Sequence, residues 1–243
     1  MARTKDTKGL IALVTGANKG IGKEIARQLA QQGVRVIIGA RDNERGRAAL
    51  DDFDREGLDV ELVTLDVTSE ASAKKAAEVL KEKYGKLDIL VNNAGIAMWP
   101  QDPLQFDVQA YKAVYDTNVF GAVNMMGAMH ELLKASGHGR IVNISSSLGS
   151  FSFAKYLDAS MIIPAYNTSK TALNALTVTY AKLLAADGIK VNAACPGFTA
   201  TDINNHSGTR SVAEAAQTPV RLALLADDGP TGGFFNDEGF IEW

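Results

Sequence analysis

The chain has 243 residues, 46% of them hydrophobic, and a formal net charge of −3. That is ample apolar material for one packed α/β domain, and the balance of charge offers no footprint for nucleic acid or an anionic membrane. A single cysteine, Cys195, excludes an intramolecular disulfide, no apolar run approaches the ~18 residues needed to cross a bilayer, and the polar opening Met1-Ala2-Arg3-Thr4-Lys5-Asp6 lacks a signal-peptide core, so a cytoplasmic protein is expected.

Residues 10–15 form a short apolar, β-branched run, read as a buried strand. It leads into Thr15-Gly16-Ala17-Asn18-Lys19-Gly20-Ile21-Gly22, and a helical pattern over 20–32 follows, with Ile21, Ile25, Ala26 and Leu29 on one side. Strand, glycine turn and helix is the context a dinucleotide requires: glycines let the backbone approach a pyrophosphate, and the helix N-terminus supplies N–H groups and a positive dipole. Gly16, Asn18, Lys19, Gly20, Ile21 and Gly22 are therefore candidate cofactor residues.

The second strand, 34–39, runs into Ala40-Arg41-Asp42. A site for a free ribose 2′-hydroxyl usually places Asp or Glu about 20 residues beyond the glycine turn. Arg41 stands there instead, its planar fork suits a 2′-phosphate, and Lys19 offers a second cation, so NADP(H) is expected over NAD(H). A strand ending one residue later would turn the Asp42 carboxylate against that phosphate.

Further strands are read at 60–65, 87–91, 139–145 and 189–195, and helices at 43–56, 70–84, 107–135 and 165–187. The alternation predicts an α/β fold: a parallel sheet with helices on both faces, in one domain over 1–243. Residues 199–216 read as polar and irregular, and Gly232-Gly233-Phe234-Phe235 as a final edge strand. Ligands of such sheets bind beyond the carboxyl ends of the strands. Gly16, Arg41, Asp66, Asn92 with Gly95, Ser146 and Pro196 follow the six strands in turn and point at one crevice.

In the last helix Tyr166 and Lys170 lie one turn apart on one face, an ammonium beside a phenol. The cation is expected to lower the phenol from its ordinary pKa near ~10, letting Tyr166 exchange a proton with a carbonyl or hydroxyl oxygen.

The glycine turn, Leu65-Asp66-Val67, Asn92-Asn93-Ala94-Gly95, Thr117-Asn118-Val119, Asn143-Ile144-Ser145-Ser146, Tyr166 with Lys170, and Pro196-Gly197 follow one another in an order that closely resembles the short-chain dehydrogenase/reductase family. The likeness covers nearly the whole chain and implies a Rossmann-type doubly wound sheet. The phrases Gly16-Ala17-Asn18-Lys19-Gly20 and Gly39-Ala40-Arg41-Asp42, with Glu242-Trp243, bring it nearest to the NADPH-dependent carbonyl reductase branch. The resemblance implies Tyr166 as proton donor, Lys170 as its tuning cation and a ligand of the nicotinamide ribose, Ser146 rather than Ser145 or Ser147 at the carbonyl oxygen, and Asn118 holding a water that links Lys170 to solvent. It also implies Asp66 and Val67 at the adenine, Asn92, Ala94 and Gly95 under the adenine ribose with Asn93 among the cofactor residues beside them, and Pro196-Gly197 as the turn that passes the nicotinamide. Thr199 and Thr201 then stand at the carboxamide and pyrophosphate. Asn92 is equally well placed as a brace of the sheet.

The implied reaction is metal-free hydride transfer from NADPH to a ketone or aldehyde. Met98, Trp99 and Phe198, with loops 96–106, 148–163 and 198–216, suggest a small apolar or aromatic substrate. Competing expectations are an alcohol dehydrogenase or 3-oxoacyl-thioester reductase of the same family and, from another class, a non-catalytic NADP(H)-sensing protein. Ser146 and Tyr166 are 20 residues apart, more than the commonest family spacing. In the carbonyl reductase branch an insertion at this place covers a dimerising helix face, so homo-oligomer (dimer or tetramer) and monomer both remain open. The extra residues either line the substrate pocket or pack a longer loop. His130, His138 and His206 show no ligand spacing, Cys195 reads as a small buried hydrophobe, and Asp51, Asp52 and Asp54 as a solvated helix face.

Overall fold

Strand β1 (Ile11–Thr15) is apolar on both faces because helices cover both. Side chains alternate along a strand, so Ile11 and Leu13 enter one core while Ala12 and Val14 enter the other. The computed structural model describes residues 7–100, 102, 104 and 107–243, apart from the side chain of Ser160. The polar opening stretch 1–6 and four positions of the 96–106 loop lie outside the described residues.

Strands β2 (Arg35–Ala40) and β3 (Val60–Thr64) build the sheet out on one side of β1. The chain then crosses back, and β4 (Ile89–Asn92), β5 (Arg140–Ile144), β6 (Lys190–Ala194) and β7 (Phe234–Asn236) extend the other side. All these pairings are parallel, in the order β3-β2-β1-β4-β5-β6-β7. The reversal of direction between β1 and β4 leaves a crevice at their carboxyl ends, where an open sheet of this kind binds ligands.

One face carries α1 (Gly20–Gln31), α2 (Asn43–Arg55) and α7 (Val212–Ala223), which bury Ile25, Leu29, Phe53, Val220 and Leu222. The other carries α3 (Glu70–Tyr84), α5 (Gly121–Ala135) and α6 (Pro164–Leu183), with Leu80, Met125, Met129, Leu133 and Leu173 buried. Each such side chain gains roughly 1.5–3 kcal/mol on leaving water. Among the described residues no helix is long and apolar enough to cross a membrane.

Three expectations are corrected. The helical stretch 107–135 is not continuous: α4 (Val108–Tyr115) passes into a wider π-helical turn, Asp116–Phe120, before α5. The segment 199–216 is irregular only in its first part, because α7 starts at Val212. Its start was legible as a capping box, in which Ser211 Oγ accepts from Glu214 N and the Glu214 carboxylate accepts from Ser211 N. Pro219 inside the helix masks the pattern. Finally, β7 is not the edge: β8 (Gly239–Ile241) adds antiparallel to it, through a turn in which Asn236 Oδ1 accepts from Glu238 N and Gly239 N.

Candidate active site

The glycine turn is packed against the loop that follows β4. Gly16 has φ +63°, and a Cβ there would lie 2.9 Å from Ala94 Cα. A Cβ on Gly22 would lie 2.3 Å from Asn93 Nδ2. Asn93 Nδ2 donates to the carbonyls of Thr15 (2.9 Å) and Gly16 (3.2 Å), and Thr15 Oγ1 accepts from Asn93 N and Ala94 N, both at 3.0 Å. Asn93 thus braces the turn. No side chain caps α1, so its first-turn N–H groups stay available to an anion, and Gly20 (φ +58°) keeps the approach free of a side chain. Both features fit a dinucleotide pyrophosphate.

Strand β2 ends at Ala40, and Arg41 follows it, exposed and without an ion pair among the described residues. Asp42 is committed elsewhere: its Oδ1 accepts from Glu44 N (3.0 Å) and Arg45 N (3.1 Å), capping α2. Lys19 differs from the expectation of a free second cation, because Nζ is paired with Asp202 Oδ2 at 2.5 Å. Asp66 Oδ1 accepts from Thr68 N and Oγ1, fixing the turn after β3. Buried Val67 sits against Gly121, where a Cβ would meet it at 2.8 Å. Behind these turns lies a small pocket lined in part by Thr15, Val67, Asn92, Ala94 and Asn118. Asn92 Nδ2 donates to Asn143 Oδ1 across β4 and β5, which makes it a brace of the sheet. Its Oδ1 is buried and accepts no hydrogen bond.

On the other side of the crevice, α6 carries Tyr166 and Lys170. Lys170 Nζ stands 5.4 Å from the Tyr166 ring centroid and donates to Ile144 O at 2.8 Å. Gly149 allows this approach, since a Cβ there would lie 2.6 Å from Lys170 C. Of the three serines after β5, Ser146 alone is hydrogen-bonded to the Tyr166 side chain, and its Oγ also accepts from Leu148 N. Ser145 Oγ donates to Asn174 Oδ1, and Ser147 N donates to the sulfur of Cys195. Asn118 sits in the π-helical turn, clasping Ile96 by both backbone groups: Oδ1 accepts from Ile96 N (2.8 Å) and Nδ2 donates to Ile96 O (2.9 Å). Nδ2 also donates to Ser169 Oγ at 3.0 Å. A Cβ on Gly95 would lie 3.4 Å from Asn118 Oδ1 and 3.6 Å from Lys170 Nζ, so the loop after β4, the π-helical turn and α6 converge there.

The titration of this pair corrects the sequence argument. Burial pushes Tyr166 up to about 12, Cys195 adds to the rise, and the hydrogen bond from Ser146 opposes it. Burial lowers Lys170 to about 8, with Cys195 opposing. Desolvation, rather than the expected cation effect, sets the direction, because Lys170 is itself inside the protein and the phenol is partly shielded from water.

After β6, Pro196 and Gly197 (φ +76°) turn the chain. Thr199 Oγ1 donates to Pro196 O and Gly197 O, both at 3.2 Å, so this buried hydroxyl serves its own loop rather than facing outward to a carboxamide. Thr201 lies over the glycine turn, its Cγ2 3.7 Å from a Cβ placed on Gly20. The insertion is not core packing: Phe151, Tyr156, Met161 and Ile162 are exposed. It is pinned at its start, where Ser150 and Ser152 hydroxyls donate to Glu242 O and Ser152 N to Trp243 O. Met98, Trp99 and Phe198 are exposed around the same mouth. The histidines pair with carboxylates, His130 with Asp187, His138 with Asp88 and His206 with Asp202. Cys195 is buried. Among the described residues no cluster of three or more His, Cys, Asp or Glu could hold a metal ion.

A family profile described as short chain dehydrogenase matches residues 10–211. Carbonyl reductase [NADPH] 3 of Mus musculus is 35% identical, over 96% of this chain and 98% of the mouse protein. That alignment spans 274 residues, more than the 243 of this chain, so the mouse protein carries residues without counterpart here. The (-)-isopiperitenone reductase of Mentha piperita is 37% identical, over 92% of this chain and 95% of its own. Among solved structures, the NADPH-bound carbonyl reductase from chicken fatty liver superposes with a TM-score of 0.87 at 29% identity, covering 97% of this chain and all of the chicken protein.

Proposed function

The chain belongs to the short-chain dehydrogenase/reductase family, near its carbonyl reductase branch, and from that premise we propose that this oxidoreductase is an NADPH-dependent carbonyl reductase acting on ketones or aldehydes. The observation that carries the reading is the hydrogen-bonded Ser146–Tyr166 pair beside buried Lys170, across the crevice from a glycine turn whose neighbouring strand β2 is followed by Arg41, without an ion pair among the described residues. The relatives named [NADPH] and the NADPH-bound chicken structure support the cofactor. We read the whole chain as one oxidoreductase domain.

In this proposal Gly16, Asn18, Gly20, Ile21 and Gly22 cradle the pyrophosphate, Arg41 binds the 2′-phosphate, and Asp66 and Val67 border the adenine. Ala94 and Gly95 lie under the adenine ribose, and Lys170, Pro196 and Gly197 border the nicotinamide riboside. When bound, the reduced nicotinamide supplies the hydride and is itself oxidised. Tyr166, held at about 12, keeps its proton at neutral pH and donates it from Oη to the substrate oxygen as that oxygen gains negative charge. Ser146 Oγ donates a second hydrogen bond to the same oxygen. Below about pH 8 Lys170 keeps its positive charge and stabilises the phenolate left on Tyr166. The balance is one hydride to carbon, one proton to oxygen and one alcohol formed. A protonated tyrosine favours the reductive direction over alcohol oxidation.

The exposed apolar rim of Met98, Trp99, Met161, Ile162 and Phe198 supports a small apolar or aromatic substrate. The test is loss of reduced-nicotinamide absorbance over a panel of aryl ketones, aldehydes, diketones and 3-oxoesters, NADPH against NADH. Turnover with NADPH is expected. Tight NADPH binding without turnover on any of them would instead favour a cofactor-sensing protein.

A further inference from the structure

The segment after Gly197 folds on itself before it reaches across the crevice. Thr209 N and Arg210 N both donate to Phe198 O, Ala200 N donates to Arg210 O, and Asn204 links Thr199 O to Thr201 N. A Cβ on Gly208 would lie 2.1 Å from Thr199 C. So many internal bonds make 198–210 a stiff flap. At its root Arg210 pairs with Asp237. At its tip two side chains from other elements hold it. Trp99 Nε1, from the loop after β4, donates to Ile203 O at 2.9 Å, and Lys19 Nζ, from the glycine turn, pairs with Asp202 Oδ2 at 2.5 Å. The two links differ in kind. The indole bond is neutral and specific to one geometry. The ion pair is more than half exposed on both sides, 56% and 53%, so it is weak and exchangeable.

Lys19 therefore has two claims on it. Asp202 occupies it in this structure, and a 2′-phosphate beside Arg41 would draw it with a larger charge and better acceptors. We propose that Asp202 is a positioning residue that sets cofactor selectivity by competing with the 2′-phosphate for Lys19. The inference rests on the NADP(H) reading above. A phosphorylated dinucleotide takes Lys19 from Asp202 and leaves the flap tip held by Trp99, whereas a dinucleotide without the phosphate offers Lys19 nothing in exchange and leaves the latch shut. Asp202 does not lose all company on release, since its Oδ1 also meets His206 Nε2 at 2.8 Å.

The test is a double-mutant cycle read as equilibrium binding of NADP+ and NAD+ by calorimetry, on wild type, Asp202→Asn, Lys19→Gln and the double variant, with thermal melting as the check on folding. Asp202→Asn is expected to tighten NADP+ binding about 2- to 5-fold, the range of an exposed ion pair, and to leave NAD+ binding unchanged. In the Lys19→Gln background the same substitution is expected to do nothing. Tightening that persists without Lys19, or that is equal for the two cofactors, would overturn the proposal by assigning the effect to the general field of Asp202. Unchanged or weakened NADP+ binding in Asp202→Asn, with wild type still preferring NADP+, would overturn it alone. A wild type with no preference would overturn the NADP(H) reading and this inference together.

Discussion

The cofactor side and the substrate side of the crevice are built by different means. On the cofactor side each candidate group stands at the end of a strand or the start of a helix, and backbone bonds fix it. Thr15 accepts from Asn93 and Ala94, Asp42 caps α2, and the N-terminus of α1 is left uncapped. On the substrate side the groups sit on loops whose polar side chains mostly bond within the loop or to a distant one. Thr199 bonds Gly197, Asn204 bonds Thr199, and Ser150 bonds Glu242. The cofactor groups are thus placed by strand ends and helix starts and locked by Asn93 and Ala94, nearly eighty residues from Thr15, while the mouth through which a substrate enters is shaped by loops that bond within themselves and, through Ser150, to the distant Glu242.

The comparison breaks first at Arg41. Arg41→Ala is expected to raise the NADPH KM about 10- to 100-fold, the worth of charge-assisted hydrogen bonds, and to leave the NADH KM nearly unchanged. Equal effects in steady-state kinetics would mean that the cofactor side is not organised around a 2′-phosphate.

The second prediction concerns the buried lysine. Lys170 falls from 10.5 to about 8 on folding. Between those values the unfolded chain holds a proton that the folded chain has released, so stability rises with pH across that window. Lys170 contributes a rise of about 3 kcal/mol, countered above pH ~10 by Tyr166, which keeps a proton the unfolded chain loses. Urea denaturation at pH 7.5 and pH 9.5 is expected to show the rise in wild type and its absence in Lys170→Met. A rise of equal size in both would assign it elsewhere.

A smaller effect is expected at Gly22. Gly22→Ala pushes a methyl into the Asn93 amide and loosens the brace of the glycine turn, at a cost of about 1–3 kcal/mol in stability. Cofactor affinity should fall with it, and an unchanged melting temperature would show that Asn93 does not hold the turn. Smallest is Trp99→Phe, which keeps an aromatic side chain and removes the bond to Ile203 O, worth roughly 1 kcal/mol. It is expected to move substrate KM a few-fold and leave NADPH affinity alone.

The same division marks what was legible in the sequence. The sheet, its helices on both faces and the strand-end positions of Gly16, Arg41, Ser146 and Pro196 followed from alternation and glycine spacing, which are local signals. Helix α7 was not seen, because Pro219 obscured it although Ser211 and Glu214 announced its start. The break at Asp116–Phe120 was invisible, because it depends on Asn118 clasping Ile96, 22 residues away. The links Trp99 to Ile203 and Lys19 to Asp202 were equally out of reach, joining segments about a hundred residues or more apart. The direction of the Tyr166 shift was misjudged because spacing shows a neighbouring charge and does not show how much water the pair has lost.

The central claim is that Tyr166 delivers the proton in carbonyl reduction, and Tyr166→Phe tests it most directly. The decisive measurement is NADPH-dependent kcat on the best aryl ketone, beside NADPH affinity and the melting curve. A fall of about 10³-fold or more, with affinity and melting retained, is the predicted result. Near-wild-type turnover in a folded Tyr166→Phe protein would contradict the account.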